Sequence, residues 1–96
     1  MATFDQLLAQ RDTILAMAAS HGAEAVRVFG SVARGDDRGD SDIDFLIRMQ
    51  PERSLMDLIG FKLDLESLLH RPADVVTEGG LHPLIRDRVL RDARPL

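Results

Sequence analysis

The chain has 96 residues, of which 45% are hydrophobic and 29% charged; that is one small globular domain, and it excludes a disordered tail, a collagen-like fibre and a bundle of membrane spans. Sixteen acidic residues against twelve basic ones leave a net charge of −4, so the basic face of a general nucleic-acid binder is missing and no direct nucleic-acid binding is expected. There is no cysteine, which removes disulfide frameworks, thiolate zinc sites and catalytic thiols from consideration.

Met1–Gln10 carries Asp5 early and lacks a long apolar run, unlike a signal peptide. No stretch reaches the roughly 18 apolar residues of a membrane helix, so a soluble, cytoplasmic protein without membrane contact is expected. Thr3 with Gln6 has the form of a capping box. Phe4, Leu7, Leu8, Ile14, Leu15 and Ala18 follow at helical spacing, predicting one helix from about Thr3 to His21, closed by Gly22. Ala25–Phe29 is short, apolar and β-branched and runs into Gly30, as a strand before a sharp turn does. Ser31 begins a short helical turn. Asp36–Ser41 is a polar loop. Asp42–Met49 alternates, placing Ile43, Phe45, Ile47 and Met49 on one face and Asp42, Asp44, Leu46 and Arg48 on the other. Ser54 caps a helix carried by Leu55, Leu58, Ile59, Leu65, Leu68 and Leu69 to about His70. Ala73–Thr77 is a third short strand, broken by Gly79-Gly80, and Pro83 opens a last helix to about Asp92. The pattern predicts a single α+β domain over residues 1–96: a small mixed sheet of about three to four strands with helices on its faces.

The chemistry concentrates between Val28 and Ile47. Gly30 permits a sharp turn and close approach of a ligand. The free N–H groups and hydroxyl at Ser31 suit phosphate oxygens. Asp42 and Asp44, two apart on a strand, project from one face, and two adjacent carboxylates are costly unless a cation lies between them. Hard oxygen ligands with room for water and phosphate suit Mg²⁺ or Mn²⁺. Gly30 and Gly35 have the outer spacing of a P-loop, but Asp36-Asp37 stand where Lys and Ser/Thr are required. Asp40, Asp42 and Asp44 imitate the start of an EF-hand loop, but Phe45 and Pro51 replace its glycine and glutamate. Both readings fail. Asp36, Asp37 and Asp40 read as a solvated acidic turn. His21, His70 and His82 form no cluster and read as helix-end residues.

Gly30-Ser31-x-x-Arg34-Gly35 followed by Ser41-Asp42-x-Asp44 resembles the signature of the DNA polymerase β-type nucleotidyltransferase superfamily, and within it the minimal nucleotidyltransferases. The likeness extends through Leu63–Leu69 and Asp74-Val75-Val76 to a closing helix from Leu84, most of Ala25–Leu96. The resemblance implies transfer of a nucleoside monophosphate from an NTP to a hydroxyl, with release of pyrophosphate. It implies that Asp42 and Asp44 hold two divalent ions, Mg²⁺ or Mn²⁺. Asp74 stands where the family has a third carboxylate, which binds the catalytic metal and helps deprotonate the acceptor. Gly30 and Ser31 would hold the β- and γ-phosphates of ATP, with Arg34 as a further nucleotide contact. Where the family often has Gly-Arg-x-Val-Asp, this chain reads His70-Arg71-Pro72-Ala73-Asp74, and Pro72 puts the placement of Asp74 in question.

Minimal nucleotidyltransferases are commonly paired with a HEPN-type toxin. The resemblance therefore implies an antitoxin that forms a hetero-complex with such a protein and attaches AMP to one of its tyrosines. Neutralisation by binding alone, or nucleotidyl transfer to a small molecule, are the alternatives. Arg86, Arg88, Arg91 and Arg94 are candidates for the docking face.

Overall fold

The computed structural model describes residues 3–96, so Met1 and Ala2, the first residues of the stretch expected to carry no signal peptide, lie outside the described residues. In chain order the elements are α1 (Thr3–Ala9), α2 (Arg11–Ser20), β1 (Ala23–Phe29), α3 (Gly30–Arg34), β2 (Ile43–Met49), α4 (Leu55–Leu69), β3 (Ala73–Thr77), a 3-10 turn (Glu78–Gly80), α5 (Pro83–Asp92) and β4 (Arg94–Pro95). The strands form one sheet in the order β3-β2-β1-β4. Strand β1 runs antiparallel to both β2 and β4, and β2 runs parallel to β3. This is the mixed α+β sheet expected from the alternating pattern.

The core lies on one sheet face, where α2 packs on β1 and α4 on β3. Ile14, Val28, Phe45, Ile47, Phe61 and Leu65 are all fully buried there. Truncating Phe61 to alanine costs about 3–5 kcal/mol by loss of transfer energy and the cavity left behind. Strand β2 alternates as predicted, with Ile43, Phe45 and Ile47 inward. Leu46, on the opposite face, is fully buried as well. There the 3-10 turn packs on β2 and α5 on β1, so the second face is covered at its centre.

Strand β1 starts two residues earlier than the apolar run suggested and contains a bulge. Glu24 pairs with Arg48 but Arg27 pairs with Leu46, so β1 advances three residues while β2 moves two. The extra residue shows at Ala25, whose φ is +51°. Beyond the bulge Val26 and Val28 point into the core, and Arg27 and Phe29 take the other face.

The single helix expected over Thr3–His21 is two helices. The Gln10 N–H bonds back to the Leu7 carbonyl at 3.0 Å, a tight turn rather than a helical one, and Gln10 then precedes α2 with φ −108° and ψ 16°. The break lets α1 turn onto α3 while α2 lies against β1 and α4. Neither glycine nor proline marks it. The Thr3 hydroxyl, expected to cap this helix, instead donates to Asp37 at 2.6 Å. Among the described residues no helix is long and apolar enough to cross a membrane.

All three histidines stand at helix ends. His21 closes α2, and its Nε2 lies 2.7 Å from the Asp64 carboxylate. His70 closes α4 with φ +55°, and His82 Nδ1 accepts the Leu84 N–H at 3.1 Å at the start of α5. Ser54 and Asp57 form the cap of α4, with the Ser54 N–H donating to the Asp57 carboxylate at 3.2 Å.

Glu66 fastens α4 to β3. Its Oε2 accepts the Ala73 N–H at 2.9 Å and the Lys62 ammonium at 3.1 Å. These contacts, the Ala73 N–H first, hold its carboxyl below the ordinary range. A depressed carboxyl stabilises the fold above its unfolded pKa and loses that contribution as pH falls through the folded value. Glu66→Gln should therefore melt below the wild type at pH 7, with the gap closing below about pH 4. Melting curves across pH 2.5–7.5 (roughly the span that brackets the carboxylate range) check this; a constant gap would remove Glu66 from the acid sensitivity.

Candidate functional site

Three strands meet at the site. Phe29, the last residue of β1, pairs with Asp44 on β2, and Asp44 pairs with Asp74 on β3. Because paired residues on neighbouring strands share a face, Asp44 and Asp74 stand side by side at the strand spacing of about 4.8 Å. Asp42 lies one residue before β2 rather than inside it and is exposed, as Asp74 is; Asp44 is half-buried. Burial, then the Asp74 charge, then the Asp42 charge push the Asp44 carboxyl above its usual range, opposed by Arg34. Asp42 and Asp74 are thus each within electrostatic reach of Asp44.

Gly30 fits this arrangement physically. Its φ is +72°, and a Cβ there would lie 2.3 Å from Asp44 Oδ2. Both the left-handed backbone and the space taken by the carboxylate require glycine. The chain then enters α3 from the extended Phe29, with Ser31 partly exposed in the first turn, and leaves it through Gly35 at φ +80°. Arg34 is half-exposed and bridges two acids, its Nε to Asp36 and its Nη1 to Asp92, each at 3.3 Å. These bonds raise its pKa, Asp36 foremost. The guanidinium is therefore tied between the loop and α5 while still acting on Asp44.

Pro72 does not disturb Asp74. Its carbonyl accepts the Ile43 N–H at 3.0 Å, and the parallel register begins directly after it at Ile43 and Ala73. The missing proline donor costs nothing in the ladder because it lies before the first strand residue.

One other expectation, a solvated Asp37, comes apart. Asp36 and Asp40 are exposed, but the Asp37 side chain is only 8% exposed and is paired with Arg71. Of the four arginines considered for docking, Arg94 stacks over the Phe4 ring at 3.8 Å and donates to the Ala33 carbonyl at 3.4 Å. Arg86 donates to the Glu78 carbonyl at 3.1 Å. Arg88 and Arg91 are exposed. Arg48 pairs with Glu24 and Lys62 with Glu66.

Arg27 was not singled out from sequence. It shares the face of Asp44 and Asp74 one row further along the sheet, beside Leu46 and Val76. It pairs with Glu78, and its Nε is buried without a partner among the described residues. Alternation with the buried Val26 and Val28 assigns it to this face, a signal present in the sequence. A cavity of about 410 Å³ opens at the far ends of β2 and β3, between Met49, Leu55, Leu58 and Thr77, and none of the candidate site residues lines it.

The donor set suits a hard divalent cation. Asp44 feels the charges of both Asp74 and Asp42, opposed by Arg34, and resists ionising there. Among the described residues no three Asp, Glu or His side chains already converge into a cage.

A raised carboxyl destabilises the fold when ionised; that cost begins above the unfolded pKa and is complete above the folded one. Asp44→Asn should therefore melt higher than the wild type at neutral pH and lose the advantage near pH 4 and below (about the unfolded value). Gly30→Ala should melt lower, since the left-handed backbone alone costs about 1–2 kcal/mol for an L-residue. Parallel thermal melts measure both; a neutral Gly30→Ala would contradict the close approach to Asp44.

The nucleotidyltransferase domain family matches residues 12–96. The chain is 39% identical over 80 residues to "Putative protein adenylyltransferase MJ0435" of Methanocaldococcus jannaschii, covering 83% of this chain and 86% of that one. It is 37% identical over 71 residues to "Protein adenylyltransferase MntA" of Thermococcus cleftensis, covering 74% and 72% of the two chains. A solved structure, "Structure of putative minimal nucleotidyltransferase", superposes with a TM-score of 0.85 at 50% identity over 96% of this chain and 94% of that one. The toxin–antitoxin pair MntA-HpeT contains a chain with a TM-score of 0.73 at 18% identity, covering 90% of this chain and 70% of that one, a likeness of fold. The signature around Gly30, Asp42 and Asp44, the mixed sheet that presents it and these matches agree: the chain belongs to the nucleotidyltransferase domain family.

Proposed function

We propose that this chain is a Mg²⁺-dependent protein adenylyltransferase that moves AMP from ATP to a tyrosine hydroxyl of a HEPN-type toxin and so acts as its antitoxin. The observation that carries the chemistry is the side-by-side register of Asp44 and Asp74, with Asp42 in electrostatic reach. The relatives named protein adenylyltransferase support the reaction class. The antitoxin role is supported by the name MntA, which the Thermococcus cleftensis relative shares with the MntA-HpeT toxin–antitoxin pair. A neighbour of the same fold is described as a toxin–antitoxin with AMP-PNP, which supports ATP as the nucleotide.

Asp42, Asp44 and Asp74 would hold two Mg²⁺ ions, with Mn²⁺ able to substitute. The ions supply neutralisation of the triphosphate and of the charge that develops at phosphorus. Gly30, whose α-carbon lies against the Asp44 carboxylate, would meet the β- and γ-phosphates through its backbone N–H, and Ser31 through its hydroxyl and helix-start N–H. Arg34 would contact the same triphosphate by releasing one of its two carboxylates. Asp74 is exposed, which suits a group that must meet an incoming acceptor, and it accepts the hydroxyl proton. The acceptor oxygen then bonds to the α-phosphorus as the bond to the bridging oxygen breaks and pyrophosphate departs. The acceptor must come within about 3–3.5 Å of phosphorus, and the exposed side of the carboxylate row leaves that wall to a partner protein. Of the docking candidates Arg86, Arg88, Arg91 and Arg94, the exposed Arg88 and Arg91, with Leu84 at 89% exposure on the same helix, would be the ones left free to contact that partner.

The test is incubation with ATP, Mg²⁺ and the protein encoded beside this one, with mass spectrometry of both chains. AMP mass on the partner, lost with Asp42→Ala or Asp44→Ala, is the expected result. A tight complex that silences the partner without added mass, at excess ATP, would replace modification by simple binding. Asp74→Asn should bind ATP nearly as the wild type does and transfer AMP far more slowly. Ser31→Ala should weaken nucleotide binding by about 0.5–1.5 kcal/mol, one net hydrogen bond. Calorimetry alongside turnover separates the two roles.

A further inference from the structure

Between α3 and β2 the chain passes through a polar loop that ends at Ser41 and Asp42. The loop is not free. The Arg71 guanidinium reaches the Ser41 carbonyl twice, from Nε at 3.2 Å and from Nη2 at 2.7 Å. Its Nη1 donates to Thr3 Oγ1 at 3.1 Å, and Nη2 also lies 3.4 Å from Asp37 Oδ2. Asp37 Oδ2 further accepts from the Thr3 hydroxyl at 2.6 Å and from the Gly39 N–H at 3.2 Å. The Arg71 and Asp37 side chains are only 14% and 8% exposed. Ser41 Oγ is buried without a partner among the described residues, so it is the backbone of Ser41, not its hydroxyl, that is held.

The next residue but one is held from the same place, since the Ile43 N–H donates to the Pro72 carbonyl at 3.0 Å. Asp42 therefore sits between two backbone anchors, both supplied by the dipeptide Arg71-Pro72. Asp74 follows that dipeptide by two residues. Asp42 lies outside the ladder; it is flanked on one side by the bond that opens the ladder, from Ile43 to Pro72, and on the other by the Arg71 bonds to the Ser41 carbonyl.

We propose that Arg71, braced by Asp37 and Thr3, is a positioning residue that sets where Asp42 stands relative to Asp74. The inference rests on the reading of Asp42, Asp44 and Asp74 as the cation-holding carboxylates. Arginine is required because one planar fork must serve a carbonyl, a hydroxyl and a carboxylate together; the single nitrogen of lysine cannot reach all three.

The charge-keeping variant distinguishes positioning from charge. If Arg71 acted only through its positive charge on the anionic metal–nucleotide complex, Arg71→Lys would bind as the wild type does. If it positions Asp42, Arg71→Lys weakens binding as Arg71→Gln does. The measurement is calorimetric titration of Mn²⁺–AMP-PNP into the full chain at a temperature where circular dichroism shows every variant folded. Arg71→Gln and Arg71→Lys should each raise Kd by roughly tenfold, the usual scale for residues that orient metal ligands. Lysine keeps the charge, so its failure to rescue belongs to geometry. Asp37→Asn, which leaves both bonds to Ser41, should move Kd the same way by a smaller factor. An unchanged or lower Kd in the Arg71 variants, whatever their melting temperature, overturns the proposal. If neither Arg71 variant folds, Asp37→Asn decides, and an unchanged Kd there overturns it. Failure of the premise looks different: the wild type and Asp44→Ala would then bind Mn²⁺–AMP-PNP equally.

Discussion

Parallel pairing of β2 with β3 opposes Asp44 to Asp74, and the rest of the molecule is arranged around that juxtaposition. Two carboxylates on adjacent strands repel, and partial burial of Asp44 makes the repulsion stronger than it is in water. A sheet left to itself would not choose this register. It is imposed by the opposite face, where Ile43, Phe45 and Ile47 of β2 and Ala73 and Val75 of β3 enter the same core. Slipping either strand by one residue would expose that apolar row and bury the acids. Hydrophobic burial on one side of the sheet thus maintains an electrostatically unfavourable row on the other.

The supporting elements divide between the two faces. Helices α2 and α4 cover the core side, with Glu66 joining α4 to the first residue of β3. On the other side the 3-10 turn packs on β2 and α5 packs on β1 with its Val89 buried, Leu46 is covered, and Arg27 pairs with Glu78. This leaves the carboxylate end of the sheet exposed while its centre is sealed. Arg34 links the two regions, since its bond to Asp92 ties the short helix after Gly30 to α5.

Most of the elements were legible because their signals are local. The alternation in β2, the Ser54 cap, Pro83 at the start of α5 and the helix-end histidines each rest on residues within one turn or strand. The chemical signature was legible for the same reason, since Gly30, Asp42 and Asp44 fall within fifteen positions of one another. What was not legible depends on distant partners. The break at Gln10 follows from where α1 and α2 dock, not from a breaker residue. Strand β4 is two residues long and exists only because β1 offers an edge to Arg94 and Pro95. Asp37 looked like its solvated neighbours Asp36 and Asp40, and only the arrival of Arg71, 34 residues later, turns it into a buried brace. Pro72 looked like a defect ahead of Asp74 and is an anchor, because the group it contributes is its carbonyl.

The bulge at Ala25 makes parity, rather than residue identity, decide what β1 contributes to each side. Upstream of it Ala23 faces the core on odd positions; downstream, Val26 and Val28 face the core on even ones. Loss of the single extra residue at Ala25 would restore plain alternation with Ala23, Val26 and Val28 still on the core side, because that residue is what offsets the two parities. A one-residue change between Val26 and Phe29, where no bulge absorbs it, would instead drive the Arg27 guanidinium and the Phe29 ring toward the helices and turn a valine onto the acidic side. Single-residue length variation among related chains is therefore expected at Ala25 and not downstream of it.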